Sequence, residues 1–408
     1  MSDSTACRIC GGEVREFLDF GRQPLSDAFR APDDTSEEFF YRLAMGACGG
    51  CTMVQLMEEV PRDRMFHEDY PYISRGSSVM RAHFTALAER FLGGELSGSD
   101  PFIVELGCND GTMLRTIAAA GRRHLGVEPS GGVADLAAAD GVRVRKDFFE
   151  ASTAASILAE DGPADVIYAA NTLCHIPYMD SILEGVRTLL APGGVFVFED
   201  PYFGDIVERT SFDQVYDEHF FFFTARSVRE MASRNGLELV DVERLPVHGG
   251  EVRYTLARAG ARPVAASVAA LLAEEEARGL SSAATLEGFA KAVDRVRTDL
   301  PALLEQLREQ GARVVGYGAT AKSATVTNLC GIGPEHVEFI SDTTPAKQGR
   351  LAPGSHIPVR GPEAFAADYP PYALLFAWNH AEEIMAKEQA FRDAGGKWIL
   401  YVPEVRVV

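Results

Sequence analysis

Tyr216, Asp217, Glu218 and His219 stand side by side in SFDQVYDEHFFFF (residues 211–223), and four phenylalanines follow at once. A phenol, two carboxyls and an imidazole held against apolar side chains form a set able to handle protons. Imidazole is the unperturbed side chain that titrates nearest neutral pH, which makes His219 the first candidate for a general base. An apolar wall at Phe220 to Phe223 would keep water away from such a group. On residue type alone, a histidine before an aromatic run is also what a packed, hydrogen-bonded core residue looks like.

A second chemistry lies upstream. Of the seven cysteines, four form the pairs Cys7-Arg-Ile-Cys10 and Cys48-Gly-Gly-Cys51. Each pair reads as a tight knuckle that aims two thiolates at one point, and four sulfurs are the set a structural Zn²⁺ prefers. The other reading, a redox dithiol, lacks the βαβ surroundings such motifs keep. Metal ligation would supply folding energy to a segment too small for a core of its own.

These groups need elements to position them. A chain of 408 residues is expected to divide into two or three domains. The boundaries expected are a zinc-binding unit over 1–65, a doubly wound α/β domain over 66–260, and 261–408 as a helical connector plus a Rossmann-like domain. The fold class is α/β. Strand and helix patterns alternate from PFIVELG through HLGVEPS, RVRKDFFE, DVIYAAN and GVFVFEDP to LELVDVERL and VRYTLARA, the signature of a doubly wound, mostly parallel sheet. After an Ala/Leu/Glu-rich helical stretch the alternation restarts at ARVVGYGATAKSATVTNL.

The first strand of the middle domain closes on Glu105-Leu-Gly-Cys-Asn-Asp-Gly111. A strand, a carboxylate and a glycine turn opening a helix make a nucleotide-type site at the carboxyl edge of a sheet. Gly107, Asn109, Asp110 and Gly111 shape this turn, and its negative charge suits a sulfonium and an ammonium better than a pyrophosphate. S-adenosylmethionine is therefore the expected cofactor, and 66–260 is expected to be a class I methyltransferase domain. Glu128, followed by Pro129, ends the second strand and would accept the ribose hydroxyls. Asp147 and Phe148 would meet the adenine, and Asn171 ends the fourth strand. In the C-terminal unit, Gly318 and Lys322 at a strand-to-helix turn make an anion site, with Asn379 on a later strand end of the same edge. His248 (HGGEVRY) could approach the site at a strand start, though a structural turn is the first reading.

These motifs, CRIC…CGGC, ELGCNDG, ANTLCHIPY, FEDPYFGDI, SFDQVYDEHFFFF, LPVHGGEVRY and GYGATAKSAT, resemble the C-methyltransferases of nucleotide-activated deoxysugars over essentially the whole chain. Within that family the likeness is to the C-3′-methyltransferases of tetronitrose and kijanose biosynthesis. The resemblance implies methylation of C-3′ of a dTDP-3-amino-2,3,6-trideoxy-4-keto-glucose-type sugar through an enolate, in antibiotic deoxysugar biosynthesis. It implies His219 as base, with Glu218, Tyr216, His175 and Tyr70 around the reacting sugar and Tyr72 beside it. It also implies structural Zn²⁺ and S-adenosylmethionine as cofactors.

Alternatives stay open at this point. Carbon 5′ also neighbours the ketone, and the sugar could carry oxygen at C-3′. A non-catalytic scaffold and a nicotinamide oxidoreductase are the rivals from other classes. A net charge of −20 argues against a nucleic-acid partner. The N-terminus MSDSTACRIC has no signal-peptide layout, and no apolar run approaches the roughly 20 residues of a membrane span. The expected address is the cytoplasm, with a dTDP-linked 4-keto deoxysugar as partner and the chain acting as a monomer.

Overall fold

The computed structural model describes residues 5–68 and 73–408, so Tyr70 and Tyr72 lie outside the described residues. The N-terminal strands Thr5–Ala6, Glu13–Pro24, Phe40–Cys48 and Val54–Leu56 pair antiparallel in that order. A fifth strand comes from far along the chain. Phe221–Phe222 pairs antiparallel with Val54–Leu56, placing Phe221 opposite Gln55 and Phe222 opposite Val54. The phenylalanine run is thus a buried strand that stitches the zinc unit to the next domain. Aromatic residues favour a pleated surface, and burial on both sides explains why no polar residue alternates with them.

The middle sheet has seven strands in the order Val144–Arg145, Arg123–Val127, Phe102–Leu106, Ala164–Ala170, Leu190–Pro201, Glu251–Arg258, Leu237–Leu245. Glu251–Arg258 runs antiparallel to both neighbours, and the other pairings are parallel. Every residue of Phe102–Leu106 is buried, as expected of a strand covered by helices on both faces. Chain order reverses on either side of Phe102–Leu106, which makes the gap between it and Ala164–Ala170 the topological switch point where such folds bind ligands.

Helices Ala266–Ala277 and Ala283–Glu309 lead out of this sheet. Glu275 ties the first to the middle domain, since its buried carboxylate accepts from Tyr202 Oη at 3.0 Å, Ala225 N at 2.6 Å and Arg226 N at 3.0 Å. Those amides open helix Ala225–Arg234, where a negative charge is favoured. The last sheet runs Val359–Arg360, Ile340–Ser341, Val314–Tyr317, Tyr372–Leu375, Lys397–Leu400, Arg406–Val407, with only the final strand antiparallel. Its switch point lies beside Val314–Tyr317.

The zinc unit also touches this third sheet. Arg30 and Leu351 exchange backbone hydrogen bonds, Glu38 accepts from Gly354 N at 2.7 Å, and Lys347 Nζ donates to Asp27 at 2.8 Å. Among the described residues, no helix is long and apolar enough to cross a membrane.

Candidate active site

Two reversals of strand order open onto one space. A cavity of about 890 Å³ is lined by Leu106, Gly107, Ala170 and Asn171 from the middle sheet and by Ala319 to Lys322 from the C-terminal sheet. His219, Tyr216, Glu218 and His175 line it between them.

On the cofactor side, Gly107 has φ +64° and sits so close to Thr172 that an added Cβ would lie 2.5 Å from its Oγ1. Only glycine fits that turn. Glu128 is buried and lines the cavity. Its two oxygens accept from Asn109 N and Ser130 N, each at 2.9 Å. A carboxylate has about four acceptor positions, so each oxygen keeps one for a ribose hydroxyl. Burial raises its pKa against the pull of those amides. Pro129, Asn109, Phe148 and Asn171 line the same end. The residues fit S-adenosylmethionine.

Several expected cofactor contacts are instead used inside the protein. Asp110 does not face the cavity; it accepts from Arg75 Nε at 2.5 Å and from Thr112 Oγ1 at 2.6 Å. Together with Ser74, which donates its backbone N–H to Asn109 Oδ1 at 3.0 Å, it fastens residues 74–75 across the glycine turn. Glu105 is buried in its strand behind the turn, and burial raises its pKa well above the usual carboxylate range. Gly111, at φ +70°, packs against Val142 and Ala137 rather than a ligand. Asp147 is half-exposed and lies 3.6 Å from Arg145, while the neighbouring Phe148 ring carries the Arg62 guanidinium 4.1 Å from its centroid.

At the centre, His219 Nδ1 donates to the Gln214 carbonyl at 2.8 Å. A carbonyl only accepts, so the proton is on Nδ1 and the lone pair on Nε2. Tyr216 Oη then donates to Nε2 at 2.7 Å. Burial, with His175 and Lys322 adding to it, depresses the His219 pKa well below 6.5, which keeps the ring neutral. The His175 ring stacks on His219 at 5.2 Å and on Phe66 at 5.6 Å. Its Nε2 is buried without a hydrogen-bond partner among the described residues, and burial lowers its pKa to about 3. Asp217 turns away and accepts from Ser26 N at 2.9 Å, anchoring the zinc unit. Of the phenylalanines, none lines the cavity; Phe222 backs the His219 ring edge-on at 6.5 Å.

On the C-terminal side, Lys322 and Asn379 line the cavity and Gly318 does not. Gly318, at φ +89°, is pressed against Ala377. The turn's first amide, Ala319 N, already donates to Asp342 Oδ2 at 2.7 Å, so an anion here would depend on Lys322 more than on the turn. Burial lowers the Lys322 pKa, and Asp213 and Glu251 partly restore it. His248 and His380 also line the cavity. His248 was expected to be a structural turn; its φ of +50° is a strain that a sequence does not display.

The zinc unit is separate and closed. Cys7 and Cys51 Sγ lie 3.5 Å apart, Cys10 and Cys48 Sγ 3.4 Å apart, and all four fall within 4.8 Å of one another. Zn–S bonds of about 2.3 Å in a tetrahedron require sulfurs about 3.8 Å apart. Backbone amides of Ile9, Gly12 and Gly50 each point at a sulfur at 3.4 Å, which favours thiolate. The donor set fits structural Zn²⁺ and leaves no open coordination position.

Fold and site together define a class I S-adenosylmethionine methyltransferase with a four-cysteine zinc unit before it and a second doubly wound sheet after it. Comparison with known proteins narrows the class. Residues 7–66 match a zinc binding domain family, 80–242 a methyltransferase domain family, and 246–403 the family described as the C-methyltransferase C-terminal domain. C-methyltransferase NovU of Streptomyces niveus is 34% identical over 405 residues, covering 98% of this chain and 96% of that protein. The chain belongs to this family of zinc-binding, S-adenosylmethionine-dependent C-methyltransferases. A ubiquinone biosynthesis O-methyltransferase of Paraburkholderia xenovorans is 34% identical over 100 residues, which is 24% of this chain and 42% of that one. Among solved structures, the Anabaena variabilis S-adenosylmethionine-dependent methyltransferase is 19% identical with a TM-score of 0.34, covering 43% of this chain and 84% of its own. The PH0226 protein of Pyrococcus horikoshii is 14% identical with a TM-score of 0.37, covering 48% and 98%.

Proposed function

We propose that this C-methyltransferase acts on C-3′ of a dTDP-linked 3-amino-2,3,6-trideoxy-4-keto sugar, with His219 as the base. The observation that carries the reading is the pinned tautomer of His219: Nδ1–H is held by the Gln214 carbonyl and the Nε2 lone pair is left at the cavity wall. A C–H bond does not attack a sulfonium, so carbon must first become nucleophilic. The C-4′ ketone acidifies its neighbour, and a neutral imidazole can take that proton.

Tyr216 holds the same lone pair in the structure. A ketone oxygen arriving beside it offers the phenol a second acceptor. Tyr216 then donates to the oxygen that gains negative charge, and Nε2 is freed for the adjacent carbon. His175 Nε2 and Glu218 orient the sugar from the same wall. Lys322 meets the pyrophosphate as a half-buried cation that owes no hydrogen bond to the described residues. S-adenosylmethionine, held by the Glu128 end, supplies the electrophilic methyl group.

The test is incubation with the sugar nucleotide in deuterated water. Wild type is expected to wash deuterium into C-3′ and, with cofactor, to add one methyl there. His219→Asn is expected to lose both by at least about a hundredfold. Wash-out retained in His219→Asn would move the base elsewhere, and deuterium at C-5′ would move the site of methylation.

A further inference from the structure

The Gln214 carbonyl that fixes the base belongs to a turn that the C-terminal domain holds on both sides. Gln214 is the last residue of the short helical turn Phe212–Gln214, closed by a Val215 N to Phe212 O hydrogen bond of 3.0 Å. Before it, the Asp213 carboxylate is fully buried. One of its oxygens accepts from Trp378 Nε1 at 2.6 Å and from Tyr401 Oη at 2.5 Å. After it, the Val215 carbonyl accepts from Thr325 Oγ1 at 2.9 Å. Trp378 opens the short helical turn Trp378–His380, Tyr401 directly follows strand Lys397–Leu400, and Thr325 is on helix Ala321–Leu329. Gly249, at φ +92°, closes the remaining side, where an added Cβ would lie 2.7 Å from the Trp378 ring.

We infer that Asp213, clamped by Trp378 and Tyr401, is a positioning residue through which the C-terminal domain sets the tautomer and aim of the His219 imidazole. A buried carboxylate is a poor stabiliser in its own right, because removing it from water offsets most of what its partners contribute. Two donors drawn from another domain onto a single oxygen give it a geometric role. The residue next to it presents the carbonyl that decides which nitrogen carries the proton. Rotating that carbonyl out of line would let the ring turn or the proton move to Nε2, and the base would lose its lone pair to the cavity. The C-terminal domain therefore completes the base as well as contributing wall to the substrate cavity.

This inference rests on His219 being the base, and the experiment separates the two. Asp213→Ala, Asp213→Asn, Tyr401→Phe and His219→Asn are compared for deuterium wash-out, kcat, KM and the ¹⁵N signals of the His219 ring. Asp213→Ala is expected to lower kcat and wash-out together by about tenfold to a hundredfold, the scale of a misplaced catalytic group. KM for S-adenosylmethionine should stay within about twofold, and the ring should show Nε2–H tautomer absent from wild type. Asp213→Asn, which keeps an acceptor oxygen, should recover most of the loss. Tyr401→Phe, a near-isosteric change, should fall between them and guards against an alanine variant that fails to fold. A folded Asp213→Ala with wild-type kcat and an unchanged ring spectrum overturns the inference, as does Asp213→Asn impaired as severely as Asp213→Ala. Wash-out surviving in His219→Asn overturns the base assignment instead, whatever Asp213 does.

Discussion

His219 carries two hydrogen bonds that together write its protonation state, one to a carbonyl and one from a phenol. Burial depresses its pKa below 6.5, and the neighbouring His175, Lys322 and His248 act in the same direction. A depressed value means the folded protein refuses a proton that the free side chain would accept. The ring signals of His219 are therefore expected to stay those of neutral imidazole down through pH 6.5 and to move only below it; a midpoint at or above 6.5 would contradict the buried, Nδ1–H arrangement. Asp200 presents the opposite case. Both its oxygens are buried without a hydrogen-bond partner among the described residues, and burial raises its pKa to about 8. A raised acid brings no penalty below its unfolded value near 4 and a growing one as pH rises toward 8, because the unfolded chain ionises freely and the folded one does not. Asp200→Asn should thus leave Tm unchanged near pH 4 and raise it by a few degrees at pH 8. A benefit that shrinks with rising pH would show that Asp200 is ionised and paired in solution.

The strand Phe221–Phe222 couples elements that the sequence separates by about 165 residues, Val54–Leu56 and the YDEH loop. The Ser26 to Asp217 hydrogen bond of 2.9 Å makes a second tie. Removing zinc, by chelation or by Cys48→Ser, should loosen the N-terminal sheet and with it the loop that bears the proposed base. Methyl transfer is expected to fall at least about tenfold while S-adenosylmethionine affinity, measured by calorimetry, changes less than threefold; a zinc-free protein with full activity would uncouple the two. The zinc pairs, the alternating strands and the glycine turn at 105–111 were legible because each follows a local rule of spacing or periodicity. The strand made by Phe221–Phe222 was not, since an apolar run does not name its partner and a long-range pairing leaves no local mark. The same limit explains Asp110: a carboxylate in a cofactor turn reads as a ligand group until Arg75 and Thr112 are seen to occupy it. Gly318 and Asp147 lie off the cavity lining for a similar reason, because which way a loop faces is settled by packing. His248 is the converse case: it lies in the short turn that its sequence suggests and lines the cavity as well.

At the scale of the whole molecule, the proposed function asks one cavity to take two ligands of opposite sign, while the chain as a whole is strongly acidic, with 39 basic and 59 acidic residues. S-adenosylmethionine bears a net positive charge, and the proposed dTDP sugar bears two negative charges on its pyrophosphate. The long-range field therefore draws the cofactor in and opposes the sugar nucleotide, whose charge is met only at short range by groups such as Lys322. Salt acts on these two stages differently. Screening reaches only about 8 Å at 0.15 M ionic strength and about 30 Å at 0.01 M, so added salt removes the distant field before it weakens a direct contact with the half-buried Lys322 ammonium. Raising ionic strength from about 0.01 to 0.15 M should then increase kcat/KM for the sugar nucleotide and decrease it for S-adenosylmethionine, each by a few-fold, the low end of electrostatic effects on encounter rates. Opposite slopes in the two titrations, at unchanged kcat, are the expected result. A falling slope for both would mean that a basic entrance steers the sugar nucleotide despite the net charge, and the anion site would then have to extend to surface cations well beyond Lys322.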